Sequence, residues 1–197
     1  MTNKQILAIL MVLTASSYLL YATGKYWLAD VKYASGGGAH KAFQMTNDPQ
    51  YLVSAYQSYY EAYQGNPSEP ALASDLGLSA AYLAMAMRAQ PAAAGQLASQ
   101  SLSLSQNAIN ASPKHPNYYK NLTRGLILMS EMDPSYLDAA KQAMQAAAMI
   151  SPTDPRIPYY LGVITSAQGA TSEAKLYFQK SLNLKPDFAD AKKQLSN

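Results

Sequence analysis

The chain has 197 residues and a net charge of +3, and only 14% of its residues are charged, against about 25% in an ordinary soluble domain. It contains no cysteine, which excludes a disulfide framework and a thiolate metal site. Its fifteen lysines and arginines are scattered rather than clustered, so the sequence offers no basic surface for nucleic acid.

The first predicted element is a hydrophobic helix within residues 1–35. Residues 5–24 carry no charge and lie between Lys4 and Lys25, and a segment of this length spans a bilayer. Tyrosines and Trp27 near its end are typical of a membrane interface. Alanines recur every seven residues, which predicts a stripe along which helices approach closely. The predicted anchor or assembly residues are Ile6, Ala8, Leu10, Leu13, Ala15, Leu19, Ala22 and Trp27.

A cleavable signal peptide is the alternative for this region. Lys4 is followed by eight consecutive apolar residues, as in the apolar core of a signal peptide.

Three consecutive glycines follow, at positions 36–38. They predict a hinge or helix break at the start of a first helical unit, residues 36–67. The ending Gly-Lys-Ser/Thr is missing and no strand precedes the glycines, so a phosphate-binding loop is not predicted.

Proline motifs then recur along residues 68–186. Segments 66–70, 112–116 and 151–155 share the form Pro-x-x-Pro, and Lys185-Pro186 closes the series, with spacings of 46, 39 and 34 residues. Intervals in this range are typical of stacked helical hairpins. Between the prolines, apolar residues recur at steps of three and four, which predicts helices.

The last of these units carries the clearest motif. The residues concerned are Leu161, Gly162, Gly169, Ala174, Phe178 and Pro186. In this pattern the chain resembles the tetratricopeptide-repeat (TPR) family over roughly residues 40–197. The resemblance implies an all-α fold, in which the hydrophobic helix precedes a right-handed α-solenoid of helical hairpins and residues 187–197 form a capping helix. It also implies that Gly162 and Ala174 are small where helix backbones approach, and that the ring of Phe178 fills the groove between them.

A second resemblance lies just after the hydrophobic helix. Trp27-Leu28-Ala29-Asp30 and Tyr33, followed by a helical array, are similar to the junction in O-antigen ligase and polymerase family proteins between the last membrane helix and an extracytoplasmic TPR tail. The catalytic membrane domain of that family has no counterpart here. The resemblance therefore implies an anchored solenoid on the outer side of the membrane, and the family's glycan-transfer activity cannot be carried over to this chain.

No catalytic, cofactor or metal site is predicted. His40 and His115 are far apart and neither has the spacing of metal ligands. Two sequons, beginning at Asn110 and Asn121, are candidate glycosylation sites.

Together these observations favour a non-enzymatic structural protein that lies at the cell surface or outside the cell and is anchored in a membrane at least before assembly. The preferred hypothesis is a subunit that self-assembles into a homo-oligomer or helical filament, burying the hydrophobic helix between copies with the TPR domain outside. The alternative is a single-span membrane anchor that presents an extracytoplasmic TPR domain to a protein or cell-envelope glycan partner.

Overall fold

The computed structural model describes residues 2–196, and within that range the chain forms α-helices and turns but no β-strand. Packing divides the chain into one unit that extends to Leu72 and another that starts at Ala73. The helices are α1 (Asn3–Thr46), α2 (Pro49–Gly65), α3 (Pro70–Ala86), α4 (Pro91–Ala111), α5 (Pro116–Met129), α6 (Tyr136–Ile150), α7 (Arg156–Ala167), α8 (Thr171–Leu184) and α9 (Ala189–Ser196).

The first helix is much longer than predicted. It runs without interruption for 44 residues, a length of about 66 Å at 1.5 Å per residue. The predicted hinge at positions 36–38 is therefore wrong, because the glycines lie inside the helix. The helix ends instead at Thr46 and is capped by Asn47, whose left-handed backbone (φ 55°) is a conformation that asparagine tolerates well.

Packing against α2 explains why α1 continues through the glycines. A Cβ atom on Gly36 would lie 2.7 Å from Cδ1 of Tyr59, so only glycine lets this ring pack flat on α1. Two helical turns before Gly36, Ala29 is buried against Gly65 of α2. An ion pair of 2.7 Å between Lys32 and Glu61 also joins the two helices. These contacts offset the poor helix propensity of glycine.

The second unit is built from antiparallel helical hairpins. In the hairpin of α3 and α4, Gly77 lies against Ser101 and Ser105. The next hairpins are α5 with α6 and α7 with α8, and α9 packs on α8. Their shared core includes Ala81, Ala84, Leu126, Met129, Leu137, Ala140, Met144, Ile157, Leu161 and Ile164.

Proline and glycine mark many of the helix boundaries, and the predicted Pro-x-x-Pro segments directly precede or overlap the starts of α3, α5 and α7. Four of the described helices, α2 to α5, begin at a proline. At the first position of a helix the backbone N–H has no acceptor within the helix, so proline, which lacks this N–H, loses no hydrogen bond there. Gly169 has a φ of +84° in the turn before α8, and α8 ends just before Lys185-Pro186. The N-cap of α8 is Ala170, which has no side-chain group to accept a capping hydrogen bond. The neighbouring hydroxyl residue, Thr171, is already the first residue of the helix.

Candidate interaction surfaces

The apolar segment, residues 5–24 of α1, is the most exposed hydrophobic surface among the described residues. Every residue from Thr2 to Tyr21 is exposed, and Val12 and Leu20 leave 64% and 76% of their surface uncovered. The predicted anchor residues Ile6, Leu10, Leu13, Leu19 and Trp27 are all among the exposed large hydrophobic side chains. Apart from uncharged polar residues such as Thr14, Ser16 and Ser17, the segment presents apolar side chains on all sides rather than along one stripe, which is typical of helices that lie inside lipid or protein.

The alanines at positions 8, 15 and 22 lie within this segment. Ala8 and Ala15 are exposed and Ala22 is half-buried. Ala8 lines a shallow depression of about 260 Å³ together with Ile9, Val12 and Leu13. No polar side chain lines this depression.

In the last hairpin, the structure brings most of the predicted packing residues together. A Cβ atom on Gly162 would lie 2.6 Å from Cε1 of Phe178, whose ring is buried. Ala174 and Leu161 are also buried, whereas Gly169 and Pro186 lie in exposed turns at the two ends of α8. Ser181 is fully buried, and its hydroxyl donates to the carbonyl of Pro155 at 2.7 Å.

A buried ion pair joins the second and third of these hairpins. Nζ of Lys120 lies 2.6 Å from Oδ2 of Asp154, and only 6% and 9% of the two side chains are exposed. Arg156 donates to both carboxylate oxygens at 2.9 Å. Burial, the largest single effect, raises the pKa of Asp154, but hydrogen bonds from Arg156 and Lys120 outweigh it and hold the pKa well below its usual value. The carboxylate is therefore ionised at neutral pH.

The first-helix face is the name we give to the polar side chains of α3, α5 and α7 that interact by hydrogen bonds or electrostatically. Nη2 of Arg124 on α5 donates to the phenol oxygen of Tyr82 on α3 at 3.3 Å. Tyr160 on α7 lies close to the same guanidinium: burial raises the pKa of its phenol, and Arg124 lowers it. Arg124 and Tyr82 thus contact each other here, and Tyr160 of the next hairpin interacts electrostatically with both.

Asn121, one turn before Arg124, belongs to the same face. Its Nδ2 donates to Oδ1 of Asp75 at 2.8 Å and to Oγ of Ser74 at 3.0 Å. Thr123, the third residue of this sequon, is fully buried. Glycosylation of Asn121 would therefore displace two hydrogen bonds between α3 and α5, and we do not propose it for the folded chain.

The other sequon is open. Asn110 is exposed near the end of α4, and its Oδ1 accepts a hydrogen bond from Gln106 at 2.8 Å. Its glycosylation stays a prediction.

A groove of about 660 Å³ runs between α4, α5 and α6 on another side of the same unit. Its lining is largely apolar, with Leu102, Ile109, Tyr119 and Leu122 among the residues that face it. Gln106 and Gln142 supply its polar rim, and none of its lining residues is charged.

Sequence reasoning did not find the first-helix face or the buried ion pair. Lys120 is 34 residues from its partner Asp154, and Arg124 is 42 residues from its partner Tyr82, so these contacts depend on how the hairpins stack rather than on local spacing along the sequence. The sequence does hold one signal, since Lys120 falls on the buried side of α5 together with Thr123. Within residues 2–196, no group of histidine, aspartate and glutamate side chains is arranged to hold a metal ion.

The similarity of this chain to known proteins is one of structure rather than of sequence. No protein-family model and no curated protein matches it. PilF of Pseudomonas aeruginosa is similar with a TM-score of 0.61 at 16% identity, covering 88% of this chain and 68% of PilF. TTC0263, a TPR protein of Thermus thermophilus, is similar with a TM-score of 0.59 at 18% identity, covering 91% and 93% of the two chains.

A third similar structure is YrrB, described as a TPR protein with an unusual peptide-binding site. It has a TM-score of 0.56 at 15% identity and covers 86% of this chain and 75% of YrrB. None of these three is an O-antigen ligase, so that resemblance stays a prediction. The predicted all-α hairpin architecture is confirmed, and the chain has the fold of tetratricopeptide-repeat proteins.

Proposed function

We propose that this protein is a membrane-anchored scaffold without catalytic activity, which crosses a bilayer once through the apolar segment and binds a protein partner through its hairpins. The exposure of the apolar segment on every side carries this proposal. Each large aliphatic side chain left in water forgoes about 1.5–3 kcal/mol of burial free energy, so the segment requires a covering.

The dimensions of the segment favour lipid as that covering. Twenty helical residues measure about 30 Å, which matches the hydrocarbon thickness of a bilayer. Lys4 and Lys25 bracket the segment, and Tyr26 and Trp27 are exposed at its end, where aromatic side chains lie in the interfacial layer. The one helix of the described chain that is long and apolar enough to cross a membrane is α1.

The hairpins support the partner-binding part of the proposal. Stacked helical repeats present extended surfaces for other proteins rather than enclosed catalytic sites. YrrB, which is similar in fold, is described as having a peptide-binding site. In line with its resemblance to extracytoplasmic TPR tails, we place the hairpins of this protein on the outer side of the membrane.

Vesicle flotation tests the anchor. We expect the full chain to float with phosphatidylcholine vesicles and to resist extraction at alkaline pH. The double variant Leu10→Lys and Leu13→Lys should lose this property, because each lysine near the middle of a spanning helix costs about 2.5–3.5 kcal/mol.

A matched control is Leu176→Lys with Leu184→Lys, since both leucines are exposed on α8. These replacements add the same charge away from α1 and should leave flotation unchanged. Release of the wild-type chain from vesicles by alkaline carbonate would contradict the anchor.

A self-assembling filament subunit is the second candidate function. The alanines at positions 8, 15 and 22 support it, because a stripe of small residues allows close approach of identical helices. A head-to-tail contact between copies would then extend without limit. Negative-stain images after detergent removal without lipid test this: regular filaments would support it, and a monomer would exclude it.

A further inference from the structure

The second helix, α2, runs back along α1 and ends beside the residues that follow the apolar segment. A Cβ atom on Gly65, the last residue of α2, would lie 2.9 Å from Cβ of Ala29 and 3.8 Å from the carbonyl oxygen of Lys25. The chain then turns through residues 66–69 before α3 begins. This turn therefore lies level with the first residues of α1 beyond the apolar segment.

The length of α1 sets the height of this turn above the lipid. Ala29 follows Gly24, the end of the apolar segment, by about 7.5 Å of helix. A bilayer of about 40–45 Å with a hydrocarbon core of about 30 Å has a headgroup layer of about 5–8 Å on each side. No flexible linker separates the two parts of α1, because the helix is continuous. When the apolar segment spans a bilayer, the end of α2 and the turn after it lie in the headgroup layer.

The exposed side chains at this level suit such a layer. Tyr26, Trp27 and Leu28 are all exposed on α1, although they lie beyond the uncharged part of the helix. The turn adds Pro67 and Ser68, which are exposed as well. Aromatic side chains with one polar end are enriched where headgroups meet hydrocarbon, so lipid is a suitable cover for this mixed surface.

The charges near the turn indicate a headgroup without net charge. Lys25 is exposed, and Asp30 and Glu69 are exposed carboxylates at nearly the same level. Attraction to anionic lipid depends on clusters of lysine and arginine, and one cation beside two carboxylates is not such a cluster. A zwitterionic headgroup offers a phosphate to the lysine and an ammonium group to the carboxylates.

We propose that the turn of residues 66–69, together with Tyr26, Trp27 and Leu28, is a contact surface for zwitterionic phospholipid headgroups. This contact holds the hairpin of α1 and α2 directly on the membrane surface. The inference rests on the proposed membrane anchor and goes beyond it, because a helix can span a bilayer while the part of the chain that follows it touches no lipid.

Quenching of a fluorophore in the turn tests this contact. The chain has no cysteine, so Ser68→Cys carries a single nitrobenzoxadiazole label. The labelled full chain is reconstituted into phosphatidylcholine vesicles, of which a fraction of the lipid bears a nitroxide on its headgroup. We expect the nitroxide to lower the fluorescence at position 68 about twofold or more, because label and quencher occupy the same layer.

Ser54→Cys is the matched control, since Ser54 is an exposed serine of α2. Its fluorescence should change less than about 1.2-fold, because about 16 Å of helix separate it from the end of α2. Equal quenching at the two positions, or no quenching at position 68, would overturn the inference.

Two further arms distinguish other covers of the turn. Vesicles that also contain phosphatidylglycerol should give the same quenching at position 68, and quenching only in these anionic vesicles would overturn the assignment to zwitterionic lipid. Iodide in solution measures access of water to the label. Protection from iodide without quenching by the nitroxide would mean that protein covers the turn, which would also overturn the inference.

Flotation of the vesicles is measured on the same samples. A chain that floats but keeps an unquenched label at position 68 refutes this contact and leaves the membrane anchor intact. A chain that does not float refutes the anchor itself, and the contact with it.

Discussion

Individual glycines determine how closely the helices of a hairpin pack in this protein. Gly162 and Gly36 each lie under an aromatic ring of the partner helix, Phe178 in one case and Tyr59 in the other. Gly95 in α4 has no neighbour within 4 Å of its added Cβ position. The same substitution should therefore have opposite effects at these positions.

We expect Gly162→Ala to destabilise the protein by about 1–3 kcal/mol, because the new methyl group overlaps a buried ring that has little room to move. Gly95→Ala serves as the control and should be neutral or stabilising by up to about 1 kcal/mol, since alanine is the better helix former. Thermal unfolding followed by circular dichroism in detergent measures both. Equal stability of the two variants would contradict the close packing.

The buried ion pair makes a second residue-level prediction. Asp154→Ala leaves the ammonium group of Lys120 buried without its carboxylate, which should cost about 3–5 kcal/mol. The double variant Lys120→Met with Asp154→Ala removes the uncompensated charge and should recover part of this loss. Chemical denaturation measures the free energies of unfolding, and a double variant less stable than Asp154→Ala would refute the argument.

The same carboxylate makes stability depend on pH. Its pKa in the folded chain is lowered, so the stabilisation is fully present above the unfolded value near 4 and is lost as pH falls below it. We expect the unfolding temperature to fall between about pH 5 and pH 2.5, and to fall less steeply in Asp154→Asn. Parallel curves for the two proteins would show that Asp154 does not contribute.

At the scale of helices, sequence reasoning found the hairpins but not the extent of α1. Prolines and apolar periodicity are local signals: the predicted Pro-x-x-Pro segments end where α3 and α5 begin and just before α7, and Pro186 follows the end of α8. The glycines at 36–38 were misread because their helix propensity is poor when judged locally. Their helical state depends on a tyrosine more than twenty residues away, which no local pattern reveals.

The first-helix face was missed for a similar reason. Tyr82, Arg124 and Tyr160 occupy three different helices, and each is an ordinary surface residue type when considered alone. The apolar segment, by contrast, was predictable, because an uncharged run of this length has few ways to be covered.

A pair of glycine variants in α1 tests whether packing against α2 stabilises the helical conformation of these glycines. Gly36→Ala should weaken the contact with Tyr59 and destabilise the hairpin of α1 and α2 by about 1–3 kcal/mol. Gly38→Ala, which has open space around its Cβ position, should raise helix stability instead. Amide hydrogen exchange of α2 reports the difference, and faster exchange in the Gly38 variant would contradict it.

At the scale of the whole molecule, the proposed anchor places the residues before the apolar segment and the residues after it on opposite sides of a membrane. Thr2 precedes the apolar segment, whereas Ser172 lies on an exposed part of α8, far beyond it in the chain. The chain contains no cysteine, so a single introduced thiol reports the location of each end without further changes.

We expect Ser172→Cys to react with a membrane-impermeant maleimide on intact cells, because the hairpins are proposed to lie outside. Thr2→Cys should react only after permeabilisation, since its thiol would lie on the inner side of the same bilayer. The reverse pattern would place the hairpins in the cytoplasm while keeping the anchor. Labelling of both thiols on intact cells would mean that the apolar segment does not cross the membrane, and the covering would then have to come from other copies of the chain.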